Sequence, residues 1–229
     1  MTPKGEPRPR RALFLPGKLP RPGQTKTRLS PPLSLEQAAM LYRGFLRDSV
    51  ALALSLGWDR VTLAHPEQGD AAQALAALLP PEVHLLSGPG SGLGDMLQAG
   101  FARALADGYE RVVMFGSDNP TLPPEIVEMA SRGLDDHDLV IGPCSDGGYY
   151  LLGMTRLHPG LFQGISWSTD VVYAQTLERA RDLGLTLLAL PQWYDVDTAH
   201  ELRRLQGELA TLPPSVAPAT RSVLAELTW

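Results

Sequence analysis

Basic residues are concentrated in one early stretch, Pro16–Leu29, which contains Lys18, Lys26 and Arg28 but no acid. The stretch carries four positive charges, and since the whole chain has a net charge of −5, the remainder carries −9. Lysine supplies a point charge and arginine a planar fork, while turn residues such as Gly23 leave backbone amides free. The stretch could therefore hold a di- or triphosphate. The alternative is a solvated basic loop, because charge runs usually face water.

Three aspartates lie in sequences typical of metal ligands. Asp118, in GSDNP, follows the apolar run VVMF, and Asp195 and Asp197 lie two apart in YDVD. In an extended segment the last two carboxylates point to one face, where Mg²⁺ or Mn²⁺ would offset their repulsion and bridge phosphate oxygens. The alternative for Asp118 is a turn or helix-cap role. For the late pair it is a cap, formed with Thr198, on the following helix, and we expect at least one of the two to be structural.

Other residues could contact the rest of a substrate. SGPGSGLGD contains Gly92 and Gly94, which allow close backbone approach to a base or ribose, although glycine-rich turns are also common without a ligand. In CSDGGYY, Asp146 could act as a general base or bind an acceptor, or it could start a hairpin turn. Trp167, in ISWST, either packs or forms a wall of an acceptor pocket. Cys144, the single cysteine, has no histidine nearby in sequence and is more typical of a buried bystander than of a nucleophile.

These residues follow short apolar strands that alternate with helical patterns. Apolar residues run at strand spacing in Ala12–Leu15 and Val112–Phe115 and at helical spacing in Leu35–Leu56. Strands separated by helices indicate βαβ units and a largely parallel sheet covered on both faces. In such a sheet the loops at the carboxyl ends of the strands converge on one crevice. We therefore expect one α/β domain over residues 11–210, in which the basic loop faces the aspartates.

Composition limits the remaining possibilities. Of the 229 residues, 44% are apolar and 20% charged, which is typical of a globular protein. The proline-rich residues 1–10 are predicted to be a flexible tail, and residues 211–229 either an arm or a packed helix. One thiol and the lack of a long apolar run predict a cytoplasmic protein that does not bind a membrane. The net charge gives no indication of nucleic-acid binding.

The motifs between residues 18 and 202 resemble those of a known family. Bacterial DUF2064 transferases, also described as radical-SAM/selenodomain-associated transferase 1 or arsenosugar-biosynthesis glycosyltransferases, have motifs similar to KLPRPGQTKTRL, LGDM, GSDNPTLP, GPCSDGGYYLLG, ISWST and DVDTAHEL. The resemblance implies the nucleotide-diphospho-sugar transferase (GT-A) superfamily. It also implies a Rossmann-like three-layer sandwich around a mostly parallel, mixed central sheet. One departure is Met96, which stands where the family usually has an arginine.

The resemblance also implies roles for individual residues. It places Lys18, Lys26 and Arg28 in the phosphate-binding loop. It makes Asp118 the metal-binding aspartate and Asp197 the late acid that helps to hold Mg²⁺ or Mn²⁺.

Three functions are compatible with these residues. The first is transfer of a sugar from a nucleotide-diphosphate donor to a small acceptor, with Lys26 and Asp146 as catalytic residues. The second is nucleotidyl transfer, in which an acceptor attacks the α-phosphate of an NTP and pyrophosphate leaves. The basic loop slightly favours the second and the family favours the first. The third is a non-catalytic nucleotide-binding module. The expected partners are a nucleotide-sugar or NTP and a small acceptor, and a homodimer is compatible with the sequence.

Overall fold

The computed structural model describes residues 8–88 and 92–227, within which seven strands form one sheet. The strands are β1 (Arg11–Pro16), β2 (Arg60–His65), β3 (His84–Ser87), β4 (Arg111–Phe115), β5 (Leu139–Pro143), β6 (Tyr149–Met154) and β7 (Leu187–Ala189). Their order is β3-β2-β1-β4-β6-β5-β7, and β6 runs antiparallel to both of its neighbours. The other neighbouring pairs are parallel. The sheet is therefore mixed and mostly parallel, as predicted.

Seven α-helices accompany the sheet in the same described ranges, and none of them is both long and apolar enough to cross a membrane. They are α1 (Leu35–Ser55), α2 (Gly69–Ala76), α3 (Leu93–Ala106), α4 (Pro124–Gly133), α5 (Val172–Asp182), α6 (Ala199–Thr211) and α7 (Pro218–Glu226).

Strand β1 shows how the layers are organised. Leu13 and Leu15 join a core with residues of α1 and α4 on one face of the sheet. Ala12 and Phe14 join a second core with residues of α3 and α5 on the other face. Successive side chains of a strand point to opposite faces, so a buried apolar strand needs helices on both sides. The predicted Rossmann-like three-layer sandwich is confirmed.

A third core lies outside these two layers and joins early and late parts of the chain. Its members come from the end of the basic loop, from α1, from the segment before α6 and from α6 itself, and include Leu29, Leu41, Phe45, Tyr194, Val196 and Leu202. This core packs the segment before α6 close to the basic loop, although the two are far apart in sequence.

The C-terminal segment contains a packed helix, α7, which lies against α1. The carboxylate of Asp48 accepts hydrogen bonds from the backbone amides of Ala219 and Thr220 at 3.0 and 2.7 Å. These amides belong to the first turn of α7, where N–H groups lack helical partners and favour a carboxylate. Gly44 permits the close approach, because a Cβ there would lie 3.1 Å from Cα of Thr220.

The larger part of the predicted N-terminal tail, residues 1–7, lies outside the described residues. The residues that follow contact the domain. Arg8 pairs with Asp59 at 2.7 Å, and the backbone amide of Arg10 donates to Glu110 at 3.0 Å.

Candidate functional site

One cleft of about 760 Å³ is lined by residues that follow β1, β4 and β5. It gathers loops that are far apart in sequence, as expected at the carboxyl ends of parallel strands. Its lining includes most of the singled-out residues: Lys18, Lys26, Arg28, Asp118, Asp146, Trp167, Asp195 and Asp197. The basic loop and the aspartates therefore share one cavity.

The late aspartates face the cleft because their neighbours are buried. Tyr194 and Val196 are 1% and 0% exposed and belong to the third core. Alternate side chains of an extended segment point to opposite sides, which directs Asp195 and Asp197 into the cleft. The backbone amide of Val196 also donates to the carbonyl oxygen of Asp118 at 3.1 Å, which joins the loop after β4 to the late pair.

Helix α6 is capped by Thr198 rather than by the side chain of Asp197. The Thr198 hydroxyl accepts from the backbone amide of His200 at 3.1 Å, and Glu201 accepts from the backbone amide of Thr198 at 2.8 Å. This is a capping box, which satisfies the first amides of the helix without Asp197. The predicted cap on this helix is therefore supplied by Thr198 and not by Asp197, whose carboxylate is left to the cleft.

The ammonium of Lys26 lies between two carboxylates. Its Nζ is 2.6 Å from Oδ2 of Asp118 and also pairs with Oδ1 of Asp197. The Lys26 side chain is only 7% exposed. Burial by itself would lower the pKa of Lys26, but the charges of Asp118 and Asp197 outweigh burial and raise the pKa above its usual value. Lys26 therefore stays protonated and neutralises part of the negative charge of the acidic cluster, by which we mean Asp118, Asp195 and Asp197. Its predicted contact with a phosphate stays a prediction.

The two late aspartates differ in their proton affinity. Burial, together with the charge of Asp118, raises the pKa of Asp195 to about 8. Burial acts in the same direction on Asp197, but the charge of Lys26 and its hydrogen bond outweigh burial and lower the pKa of Asp197. Asp197 therefore ionises readily, whereas Asp195 holds its proton more tightly.

Asn119 positions Asp195, a role that the sequence analysis missed. Its side-chain nitrogen donates to the Asp195 carboxylate and, at 2.8 Å, to the carbonyl oxygen of Tyr194. Asn119 is 1% exposed, and its side-chain oxygen has no hydrogen-bond partner among the described residues. The available signal in the sequence was the asparagine that directly follows Asp118 in GSDNP. A buried side-chain amide needs polar partners, so its position beside an acid indicated a role in the site.

Two further cations of the basic loop, Lys18 and Arg28, are more accessible than Lys26. Arg28 has a side chain that is 70% exposed and lies 3.8 Å from Asp197. The Nζ of Lys18 donates to the carbonyl oxygen of Gln24 at 2.9 Å. Gly23 has a φ of 74°, which supports the turn of this loop, but it does not belong to the described lining of the cleft.

The sequence analysis also missed the role of Tyr42, which lies in α1. Its hydroxyl forms a hydrogen bond of 2.9 Å with the hydroxyl of Ser117 and accepts from the backbone amide of Lys18 at 3.3 Å. It thereby connects α1 to the loops after β1 and β4. Its position inside an ordinary amphipathic helix gave no signal of this contact.

Another part of the cleft lining is aromatic. The rings of Trp167 and Tyr149 meet edge to face with centroids 6.4 Å apart. Trp167 packs on the first turn of α3, where a Cβ at Gly94 would lie 2.4 Å from the indole ring. Gly94 therefore makes room for Trp167, and the described lining of the cleft includes neither Gly94 nor Gly92. Gly92 precedes α3 with a φ of 143°, and the adjacent residues 89–91 of the glycine-rich loop lie outside the described residues.

Asp146 combines a local turn with a place in the cleft. One of its oxygens accepts from the backbone amide of Gly148 at 2.9 Å. Asp146 also forms a cluster with Cys144 and Asp195, whose potential ligand atoms lie within 4.8 Å of one another. Cys144 is 4% exposed, and burial raises the pKa of its thiol, which is typical of an unreactive cysteine.

A family model, described as an uncharacterized protein conserved in bacteria (DUF2064), matches residues 50–169, just over half of the chain. The chain belongs to the DUF2064 family. A crystal structure from Desulfovibrio desulfuricans G20, provisionally described as a nucleotide-diphospho-sugar transferase, is 34% identical to this DUF2064 chain. The two superpose with a TM-score of 0.86 over 94% of this chain and 95% of the other. Both findings confirm the resemblance.

More distant structures share the fold of this DUF2064 chain. A nucleotidyl transferase from Methanothermobacter has a TM-score of 0.58 and 14% identity, over 88% of this chain and 98% of the other. Rv0371c from Mycobacterium tuberculosis H37Rv, in complex with manganese, has a TM-score of 0.52 and 17% identity, over 86% and 98% of the two chains. No curated protein matches the sequence. At this identity the likeness shows the fold alone.

Met96 occupies a lining position in this DUF2064 protein. It is partly buried against the core on the α3 face of the sheet and borders the cleft. At the position where the resemblance implies an arginine, this chain therefore presents an apolar thioether to the cleft.

Proposed function

We propose that this DUF2064 protein is a metal-dependent transferase that moves a sugar from a nucleotide-diphosphate donor to a small acceptor. The observation that carries the proposal is the single cleft in which Asp118, Asp195 and Asp197 lie with Lys18 and Arg28. Carboxylate oxygens beside exposed cations suit a diphosphate bridged by a divalent cation. The fold, shared with proteins described as nucleotide-sugar and nucleotidyl transferases, supports the same proposal.

The residues present fit Mg²⁺ or Mn²⁺. Asp118, Asp195 and Asp197 offer carboxylate oxygens, the hard donors that these cations prefer. Asp118 and Asp197 bring two carboxylates to the single ammonium of Lys26, so these groups together hold more negative charge than Lys26 neutralises. We assign the cation to Asp118 and Asp197, with Asp195 as a further ligand. When bound, the cation would carry part of the charge of the departing diphosphate.

Arg28 and Lys18 are suited to the diphosphate of the donor. The planar guanidinium of Arg28 can bind two phosphate oxygens at once, and 70% of its side chain is exposed. The ammonium of Lys18 is held only by the carbonyl oxygen of Gln24, at 2.9 Å, among the described residues. A phosphate oxygen could replace this neutral acceptor and would bind more strongly.

Asp146 and Trp167 are suited to the acceptor. One oxygen of Asp146 is fixed by Gly148, and the other makes no hydrogen bond within the described ranges. We assign to this second oxygen the removal of a proton from the attacking acceptor. Trp167 and Tyr149 supply an apolar face against which a small acceptor can be oriented.

The basic loop favours a second candidate, nucleotidyl transfer. Lys18, Lys26 and Arg28 together suit the longer tail of a triphosphate. In that reaction an acceptor oxygen attacks the α-phosphate of an NTP, and the bond to the leaving pyrophosphate breaks.

The products distinguish these reactions. The purified chain is incubated with Mn²⁺, a panel of small acceptors and either nucleotide-sugars or NTPs, and the products are followed by ³¹P NMR. Free NDP from a nucleotide-sugar supports glycosyl transfer, whereas pyrophosphate from an NTP supports nucleotidyl transfer. Nucleotide binding without turnover of any donor would contradict both and would support the non-catalytic module.

A matched pair of variants tests the site. Asp118→Asn should abolish turnover and the metal-dependent part of nucleotide binding, because one carboxylate ligand is lost. Asp135→Asn removes the same charge from a surface ion pair with Arg111 and should preserve both. Unchanged metal-dependent binding in Asp118→Asn would remove Asp118 from the metal site.

A further inference from the structure

We propose that the ammonium of Lys26 is a built-in counter-ion that a divalent cation must displace from Asp118 and Asp197, and that the displaced ammonium then binds the diphosphate. This inference rests on the proposed function, because it concerns the same cation and the same diphosphate. It has two consequences. The cation alone binds weakly, and the cation and the diphosphate strengthen each other's binding.

The contacts of Lys26 are those of a bridging cation. Its Nζ donates to Oδ2 of Asp118 at 2.6 Å and to Oδ1 of Asp197. These are the two carboxylates assigned to the metal ion. The side chain is only 7% exposed, so little water lies near the ammonium to screen it from a second cation. The ammonium and a divalent cation therefore compete for one position.

Only the side chain of Lys26 has to move. The backbone of this turn is anchored, because Leu29 is fully buried and its amide donates to the carbonyl oxygen of Lys26 at 3.0 Å. The four-carbon stem of lysine is flexible, so Nζ can leave the carboxylates while the loop stays in place. Lys18 and Arg28 line the same cleft, and the displaced ammonium would join them at the phosphates.

The diphosphate supplies the anion that the displaced ammonium needs. A charge left unpaired in a buried position is costly, and this cost opposes the binding of the cation alone. A diphosphate in the cleft removes the cost by accepting the ammonium. By thermodynamic linkage, the cation and the diphosphate must then raise each other's affinity by the same factor.

The first test measures Mn²⁺ affinity without nucleotide, by electron paramagnetic resonance, in Lys26→Met and in a matched control, Lys18→Met. Lys18 lies in the same loop, but its Nζ donates to the carbonyl oxygen of Gln24 rather than to an aspartate. We expect Lys26→Met to bind Mn²⁺ about ten-fold more tightly than wild type or better, and Lys18→Met to change by less than about two-fold. Equal or weaker Mn²⁺ binding by Lys26→Met would overturn the inference.

The same titrations with saturating GDP or UDP, corrected for Mn²⁺ bound to free nucleotide, measure the coupling. In the wild type the nucleotide should raise Mn²⁺ affinity by about ten-fold or more, within the usual range of coupled sites. In Lys26→Met the factor should be at least about three-fold smaller than in the wild type, because the competing ammonium is gone and only the direct contact between cation and diphosphate still couples them. An undiminished factor in the variant would contradict the proposed role.

A measurement on the wild type does not depend on the folding of a variant. The chain has only three lysines, Lys4, Lys18 and Lys26, so ¹⁵N labelling of lysine gives a simple ammonium spectrum. The Lys26 ammonium, protected by its carboxylates, should give a signal that is lost or shifted at saturating Mg²⁺. In a second sample, labelled uniformly with ¹⁵N, the backbone amide of Asp118 reports occupancy. An unmoved Lys26 signal beside a shifted Asp118 amide overturns this inference and leaves the metal site standing. If the protein binds neither Mg²⁺ nor Mn²⁺, with or without nucleotide, both this inference and the proposed metal site are overturned.

Discussion

The side-chain amide of Asn119 donates a hydrogen bond to the carboxylate of Asp195. The same nitrogen donates to the carbonyl oxygen of Tyr194 at 2.8 Å. One residue of the loop after β4 therefore fixes both the backbone and the side chain of the segment before α6. The relative position of the metal-ligand candidates Asp118 and Asp195 depends on this amide.

Asn119→Ala should lower the free energy of unfolding by about 1–3 kcal/mol, because buried acceptors on Asp195 and Tyr194 lose their donor. It should also weaken metal-dependent nucleotide binding. Urea denaturation and calorimetry with and without Mn²⁺ measure the two effects. Gln68→Ala is a control that removes an exposed amide bonded to Ser87, and its cost should stay below about 0.5 kcal/mol. Equal stabilities of the two variants would contradict the role of Asn119.

Gly94→Ala should destabilise the protein by about 1–3 kcal/mol, although alanine favours helices, because its Cβ would overlap the indole of Trp167. Gly207→Ala is the matched control in α6, where a Cβ would meet no atom within 4 Å. The control should gain about 0.5–1 kcal/mol from helix propensity alone. Thermal and urea unfolding compare the two. A gain in Gly94→Ala would show that Trp167 does not pack on this turn.

Asp48→Ala should lower the free energy of unfolding by about 1–3 kcal/mol, since two backbone amides at the start of α7 lose a charged acceptor. Asp182→Ala, which removes an exposed partner of Arg179, should cost less than about 0.5 kcal/mol. Equilibrium denaturation measures both. Equal costs would mean that Asp48 does not anchor the C-terminal helix.

Cys144 should react slowly with a thiol reagent in the folded protein. The thiol is 4% exposed, and burial raises its pKa, so the reactive thiolate is scarce at pH 8. We expect labelling to be at least about 100-fold slower than that of a free thiol, and to become fast in urea. Fast labelling of the native protein would contradict the position of this side chain.

The sequence predicted the features that depend on local periodicity. Alternating strands and helices predicted the mostly parallel sheet, and the two-residue spacing of Asp195 and Asp197 predicted that both would point to one side. Tyr194 and Val196 explain why that side is the cleft, since both are buried in the third core. The fold tests neither the predicted cytoplasmic location nor the predicted homodimer, and both stay predictions.

The individual contacts between distant residues were not predicted. The sequence predicted that the basic loop faces the aspartates, but not that the ammonium of Lys26 contacts Asp118 and Asp197 directly. Gly94 belongs to a glycine-rich loop, and such a loop has the same composition whether it contacts a ligand or makes room for Trp167. Tyr42 and Asn119 act through partners on other elements, and a single sequence carries no record of those partners.

The third core also determines when the cleft can first exist during synthesis. Leu29 and Phe45 are synthesised before Tyr194 and Leu202, with which they share this core. A nascent chain that stops before these residues has Lys26 but lacks Asp197, which is one of the two carboxylates that pair with the Lys26 ammonium. The cleft can thus form only after the segment before α6 has been synthesised, and a shorter nascent chain cannot capture the ligand.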